Sequence, residues 1–209
     1  IDQSDADALR FRPYEPAWPA ELPEQGLFEH LRHHDCLLHH PFQSFDVVVQ
    51  FLREAVYDPN VLAIKQTIYR TGSESVLMEL LLEAVRLEAL VVQVVFCIVV
   101  LKTDAKMMLA TRRGGARLRR YAHLSTGNYN PKTSRLYTDV GFLTSQPDMT
   151  ADVDRVFQQL SSLTQMKSTR LLQLAPFSLQ DQMLRLTARC ADAARAGRQA
   201  RTVGDVATY

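Results

Sequence analysis

"VLAIKQTIYRTGSESVLMELLLEAVRLEALVVQVVFCIVV", residues 61–100, decides the fold class. Its first ten residues are rich in strand-forming side chains and stop at Thr71-Gly72-Ser73, a turn composition. SVLMELLLEAVRLEAL then repeats apolar residues at three- and four-residue spacing, which predicts a helix with a broad buried face, and 91–100 returns to a strand-like run. Strand, helix and strand at this spacing predict a βαβ unit, a parallel pair joined by a right-handed crossover. The expected class is therefore α/β.

Upstream, SFDVVVQFLREAVYDPN (44–60) offers Ser44 as a cap and a helical stripe of Val48, Phe51, Leu52, Ala55 and Val56, halted by Asp58-Pro59-Asn60. Before it, FRPYEPAWPAELPEQ (11–25) has closely spaced prolines, which favour an extended arm over a helix or strand. Downstream, 106–111 and 117–124 read as two strands of a hairpin turning at Gly114-Gly115. STGNYNPKTSRLYTD (125–139) is too rich in Gly, Asn, Ser, Thr and Pro for regular structure. Helices are expected near 150–162 and 178–196, with LLQLAP (171–176) as a short strand between them.

A chain of 209 residues, 46% hydrophobic and 22% charged, can bury one substantial core. Lys plus Arg number 24 against 23 Asp plus Glu, so no global field argues for nucleic acid or an anionic membrane; an anion site must come from local clustering. Cys36, Cys97 and Cys190 are widely spaced, which argues against a disulfide framework and for buried thiols in a reducing compartment. The apolar run Leu90–Leu101 is broken by Gln93 and too short to span a bilayer, and IDQSDADALR lacks a signal pattern. The expected location is cytoplasmic, with no transmembrane segment.

Four clusters carry chemistry, each with a plainer reading beside it. In an extended segment Lys102, Asp104 and Lys106 share a face, forming either an ion-pair row or the floor of a phosphate site. Loop 125–139 could turn successive backbone N–H groups toward an anion, with Asn128, Asn130, Lys132 and Arg135 as further donors, or be a connecting loop. Arg112, Arg113, Arg117, Arg119 and Arg120 could grip a polyanion or be a solvated hairpin tip. HLRHHDCLLHH holds zinc-ligand types, His30, His33, His34, Asp35, Cys36, His39 and His40, at a spacing that matches no closed zinc site.

Several runs in a fixed order give the chain a specific resemblance: LLHHPFQSFD (37–46), DPNVLAIKQTIYRTGS (58–73), LKTDAK (101–106), RRYAHLSTGNYNPKTSRLYTD (119–139) and LLQLAPFSL (171–179). The chain resembles the long bacterial polyphosphate kinases, whose two C-terminal lobes are built like phospholipase D domains. That resemblance implies a lobe with a mixed, largely parallel sheet flanked by helices. It also implies reversible transfer of the terminal phosphate of ATP to inorganic polyphosphate through a phosphohistidine, with Mg2+ as cofactor and ATP, ADP and polyphosphate as partners. By the same resemblance Arg70 belongs to the metal-phosphate site, Lys106 and Asn128 hold phosphate oxygens, and Tyr137 contacts the nucleotide; Lys132 and Arg135, read as donors of the loop, join Tyr137 as candidate ATP- or phosphate-binding residues. His123 reads as a packed or loop-supporting residue.

Three departures shape the functional expectation. Asp104 stands in KTDAK where the family carries its phosphate-accepting histidine, and a carboxylate brings negative charge toward an anionic phosphate. About thirty residues that the family carries before this motif are missing, so one βα unit of the sheet is expected to be lost, since a parallel crossover alone needs about a dozen residues or more. The chain also stops where the family's second lobe begins. The expected division is an arm from a head domain (1–35), the first catalytic lobe (36–165) and the start of the second lobe (166–209). The isolated chain is thus expected to be impaired or inactive in phosphotransfer. The alternative is a catalytically silent phosphate- or nucleotide-binding fragment, or a structural one that assembles with other copies.

Overall fold

The computed structural model describes residues 11–68, 75–87, 91–95, 105–162 and 168–203. Arg70, Cys97, Lys102 and Asp104 lie outside these described residues. Along the chain run α1 (Leu27–Leu31), β1 (Cys36–His40), α2 (Asp46–Tyr57), β2 (Val61–Thr67), α3 (Val76–Arg86), β3 (Val91–Val95), β4 (Lys106–Gly114), β5 (Arg117–Ser125), β6 (Asp139–Thr144), α4 (Pro147–Ser162) and α5 (Leu179–Arg195).

The βαβ expectation holds: β2 and β3 pair in parallel, from Ala63 with Val91 to Thr67 with Val95, and α3 connects them. Ser75 caps α3, its hydroxyl accepting the Met78 N–H at 3.4 Å, and Leu77, Leu80, Leu81 and Ala84 are buried. The six strands lie in the order β1-β6-β5-β4-β2-β3. The sheet is mixed and flanked by helices, as expected, but it is not largely parallel. The β1–β6, β6–β5, β5–β4 and β4–β2 pairs are antiparallel, and among the described strands only β2 and β3 run parallel; the tight hairpin between β4 and β5 is too short for a crossover and forces that pair to be antiparallel.

Both faces of the sheet are covered, which explains the unbroken apolar run 107–110 of β4. Met108 and Ala110 face the cluster built by α1, α2 and α3, whereas Met107 and Leu109 face α4 through Val153, Val156 and Phe157. The α2 stripe read from sequence is buried throughout, and a fully buried Leu or Phe such as Leu52 or Phe51 contributes roughly 1.5–3 kcal/mol. Ser44 does not cap α2 from the N-cap position. That position is Phe45, and the Ser44 hydroxyl accepts the Asp46 N–H at 3.1 Å instead.

Residues 27–31, expected in an extended arm, form α1 and enter the core through Leu27, Phe28 and Leu31. So short a helix is held from outside: the Glu54 carboxylate of α2 accepts the N–H groups of Gly26 (2.7 Å), Leu27 (3.1 Å) and Phe28 (3.3 Å), taking the place of a local cap. Segment 171–176, expected as a strand, is irregular. Its start belongs to the buried carboxylate of Asp152, whose Oδ2 accepts from the backbone of Arg170, Leu171 and Leu172, leaving those groups unavailable to a ladder. Helix α5 buries none of its residues, and Cys190 on it is half-exposed rather than buried. Cys36 is buried, which pushes its thiol up to about 11.

Candidate functional site

The loop between β5 and β6 emerges at one end of the sheet, beside the first residue of β4. Lys106 pairs with Ser125, and Ser125 pairs with Gly141, so these three form one row across β4, β5 and β6. Lys106 is buried, at 9% exposure. β2, which ends at Thr67, neighbours β4 at the same edge, and Thr67 joins the two through its hydroxyl to the Met107 N–H at 3.0 Å. Arg70 and Asp104 follow and precede these strand ends in sequence, outside the described residues.

The loop is fixed from within. Thr126 donates its hydroxyl to Asp139 Oδ1 at 2.9 Å and receives the Val140 N–H at 3.0 Å. Gly127 has no room for a side chain, since a Cβ there would stand 2.3 Å from Asp139 Oδ2. Asn130 Oδ1 accepts the N–H groups of Lys132 (2.8 Å) and Thr133 (3.3 Å), starting a short 3-10 turn at Thr133–Arg135. The N–H groups of Ser134, Leu136 and Tyr137 go to Asn130 and Thr133 carbonyls. The backbone amides of 132–137 are therefore spent on the loop itself and do not form an anion nest, which corrects the amide-cradle reading for that part of the loop. What the loop presents outward is side chains: Asn128, Lys132, Arg135 and Tyr137 are exposed.

Beneath the loop lies a pair of rings, His123 and Tyr129, of which the sequence reading singled out only His123. His123, 1% exposed, meets the Tyr129 hydroxyl through Nδ1 at 3.0 Å, and its Nε2 packs against Gly141, where a Cβ would be 2.8 Å away. Burial, reinforced by nearby His40, pushes His123 down to about 3, so it is neutral at pH 7. Burial likewise lowers His40, outweighing the Gln43 carbonyl and Asp139, and drives Tyr129 well above its ordinary value. An enclosed ring cannot reach a phosphorus atom, so His123 supports the loop and does not replace a nucleophile. The pattern that could have revealed this prop is the glycine at 141, where a larger side chain would strike the buried His123 ring.

The remaining candidates separate clearly. Arg112 is committed to Asp58 through Nε at 2.5 Å, and Arg120 to Asp154 at 3.3 Å, so two of the hairpin arginines are structural. The histidines of 30–40 divide between α1, the turn after it and β1, and no group of three His, Cys, Asp or Glu suited to a metal ion occurs among the described residues. No helix among the described residues is long and apolar enough to cross a membrane.

Fold and loop together define a mixed α/β lobe with a stiff, outwardly basic loop at one end of its sheet. The chain belongs to the polyphosphate kinase family: the family model described as polyphosphate kinase C-terminal domain 1 matches residues 26–91 and 83–166. It is 40% identical to a polyphosphate kinase of Burkholderia lata over 97% of its own length and 34% of the relative's, and 37% identical to one of Mycolicibacterium gilvum over 94% and 31%. The crystal structure of a polyphosphate kinase from Porphyromonas gingivalis superimposes with a TM-score of 0.81 at 28% identity, covering 91% of this chain and 33% of that one. The chain thus spans about a third of the length of these relatives. The alignment to the Burkholderia lata enzyme runs over 233 positions although this chain has 209 residues, so the relative carries residues that this chain lacks within the matched region.

Proposed function

We propose that this chain is a first catalytic lobe of phospholipase D-like build that binds the phosphates of ATP and of inorganic polyphosphate at the β5–β6 loop, and that Asp104 leaves it without phosphotransfer of its own. The observation that carries the reading is the row of Lys106, Ser125 and Gly141, which sets a buried lysine beside the root of the loop bearing Asn128. In this reading Lys106 acts as a point charge, the Asn128 amide donates to a phosphate oxygen, and Lys132 and Arg135 add charge at the rim. Tyr137, half-exposed, offers a ring face to adenine.

The family reaction transfers the γ-phosphoryl group from ATP to a histidine nitrogen, releasing ADP, and then from that nitrogen to the terminal oxygen of polyphosphate. An aspartate at position 104 could form only an acyl phosphate and would compete with phosphate for the charge of Lys102 and Lys106. Magnesium, where present, brings oxygen-ligand chemistry that neutralises phosphate charge, and Arg70 would hold phosphate oxygens beside it, since a guanidinium is not itself a metal ligand. The two-part family match and the longer alignment support the loss of one βα unit ahead of β4.

Two measurements test this. Wild-type chain should acquire no label from γ-labelled ATP, whereas Asp104→His should acquire acid-labile phosphate if the site lacks only its nucleophile. Binding of tripolyphosphate should weaken about tenfold or more in the Lys106→Ala, Asn128→Ala double variant, the loss expected for two charge-assisted contacts. Undiminished binding would reject the loop as the phosphate site.

A further inference from the structure

At the far end of the β4–β5 hairpin lies a cleft of about 800 Å³ that the phosphate reading does not use. It forms where the hairpin turn approaches the end of α1 and the start of α4, and its walls carry Arg32, Arg117, Arg119 and Arg120 with His33 and His34. The one carboxylate in its wall, Asp35, accepts the Thr144 hydroxyl at 2.5 Å. Arg32 is paired with Glu29 at 2.7 Å and Arg120 with Asp154 at 3.3 Å. Arg117 and Arg119 form no ion pair among the described residues.

Positions 117 and 119 alternate along β5 onto the same face as Tyr121, which looks toward α1. Two guanidinium groups on one strand face, near a third just past the end of α1 at Arg32 and with no carboxylate of their own, repel one another, and a bound anion would relieve that repulsion. No Phe, Tyr or Trp lines the cleft, so it lacks the stacking platforms on which single-stranded nucleic acid usually rests. A polyanion without bases fits these walls better.

β4 connects the two ends: Lys106 opens it at the loop and Gly114 closes it at the cleft. Nine residues of strand at about 3.3 Å each place the cleft roughly 25–30 Å from Lys106. A nucleotide cannot span that distance, whereas a long polyphosphate chain can. We propose that this cleft is a second polyphosphate site, holding an internal stretch of an inorganic polyphosphate chain whose end lies at the β5–β6 loop. The identity of the polyanion rests on the proposed function; the existence of a basic site here does not.

The test compares end-labelled long-chain polyphosphate with tripolyphosphate on the full chain, by fluorescence anisotropy across a series of NaCl concentrations. Arg117→Ala with Arg119→Ala should weaken long-chain binding about tenfold and lower the slope of log affinity against log salt by about 2, one for each lost phosphate contact, while tripolyphosphate binding stays unchanged. Both side chains lie outside the core, and a thermal melt checks that the variant remains folded. Unchanged long-chain affinity and slope would overturn the proposal, as would an equal loss for both ligands. A thymidine oligomer that binds as tightly and shows the same arginine dependence would overturn it in favour of nucleic acid. If wild type fails to bind tripolyphosphate yet keeps arginine-dependent long-chain binding, the cleft stands and the loop reading fails.

Discussion

The Nδ1 atom of His123 stands 3.0 Å from the hydroxyl of Tyr129, tying the buried end of β5 to the loop that leaves it. This contact makes the outward side chains of the loop depend on a ring pair packed beneath them. Tyr129→Phe keeps the packing and removes the hydroxyl, so it should cost about 1 kcal/mol of stability and leave His123 Nδ1 without a partner. Thermal melts measure the first effect. Amide exchange at 128–137 measures the second, because a loop that loses its tie should exchange faster. Equal exchange in both proteins would show that the hydroxyl does not hold the loop.

The two buried histidines predict an acid limb. His123 and His40 both have lowered values in the folded chain, the first about 3, whereas an unfolded histidine takes up its proton near 6.5. Between those values the unfolded state binds more protons, so stability is full above about pH 6.5 and falls as pH drops, by at most about 1.4 kcal/mol per pH unit for each histidine. Urea midpoints at pH 7.5, 6.5 and 5.5 should show this decline. His123→Leu should make it shallower. A profile as steep in the variant as in wild type would assign the acid limb to other groups.

Gly127→Ala tests the closure of the loop over Asp139. An added methyl would lie 2.3 Å from the Asp139 carboxylate, which is buried and tied to Thr126. Relief requires the loop or Asp139 to move, so destabilisation of about 1–3 kcal/mol is expected, with tripolyphosphate binding reduced alongside. Wild-type stability and binding together would mean that the loop root yields easily.

The parts of this fold that were legible in the sequence were those decided by local pattern. The apolar periodicities of 46–57 and 76–86 and the Gly-Gly turn of the hairpin each carry their own signal, and all three appear where expected. β1 and β6 carried none. Cys36–His40 mixes histidine with leucine, and Asp139–Thr144 opens on a charge; β1 is a strand because β6, about a hundred residues away in sequence, pairs with it, and β6 because it lies between β1 and β5. The α1 helix was hidden for the same reason, since the carboxylate that caps it belongs to α2. At the site, residue types identified the exposed donors of the loop, but the use of its own amides depends on Asn130, whose role is visible only once the turn is built.

Asp152 makes the last prediction. It is fully buried on α4, and its two oxygens divide their work: Oδ1 receives Arg155 at 2.6 Å, and Oδ2 receives the backbone N–H groups of Arg170 (2.7 Å), Leu171 (2.6 Å) and Leu172 (3.1 Å). Burial raises its carboxyl, but these donors outweigh burial and hold it below the usual carboxylate range. Its stabilisation is therefore complete at neutral pH and is lost only as pH falls below about 3.9 toward its lowered folded value, beneath most of the histidine window. Asp152→Asn can satisfy one side but not both, because an amide nitrogen facing either Arg155 or the three N–H groups opposes donor to donor. A loss of about 3 kcal/mol is expected, with segment 168–178 becoming open to proteolysis before the rest of the lobe. Cleavage that begins within the sheet, or a variant as stable as wild type, would show that the carboxylate does not anchor this segment to α4.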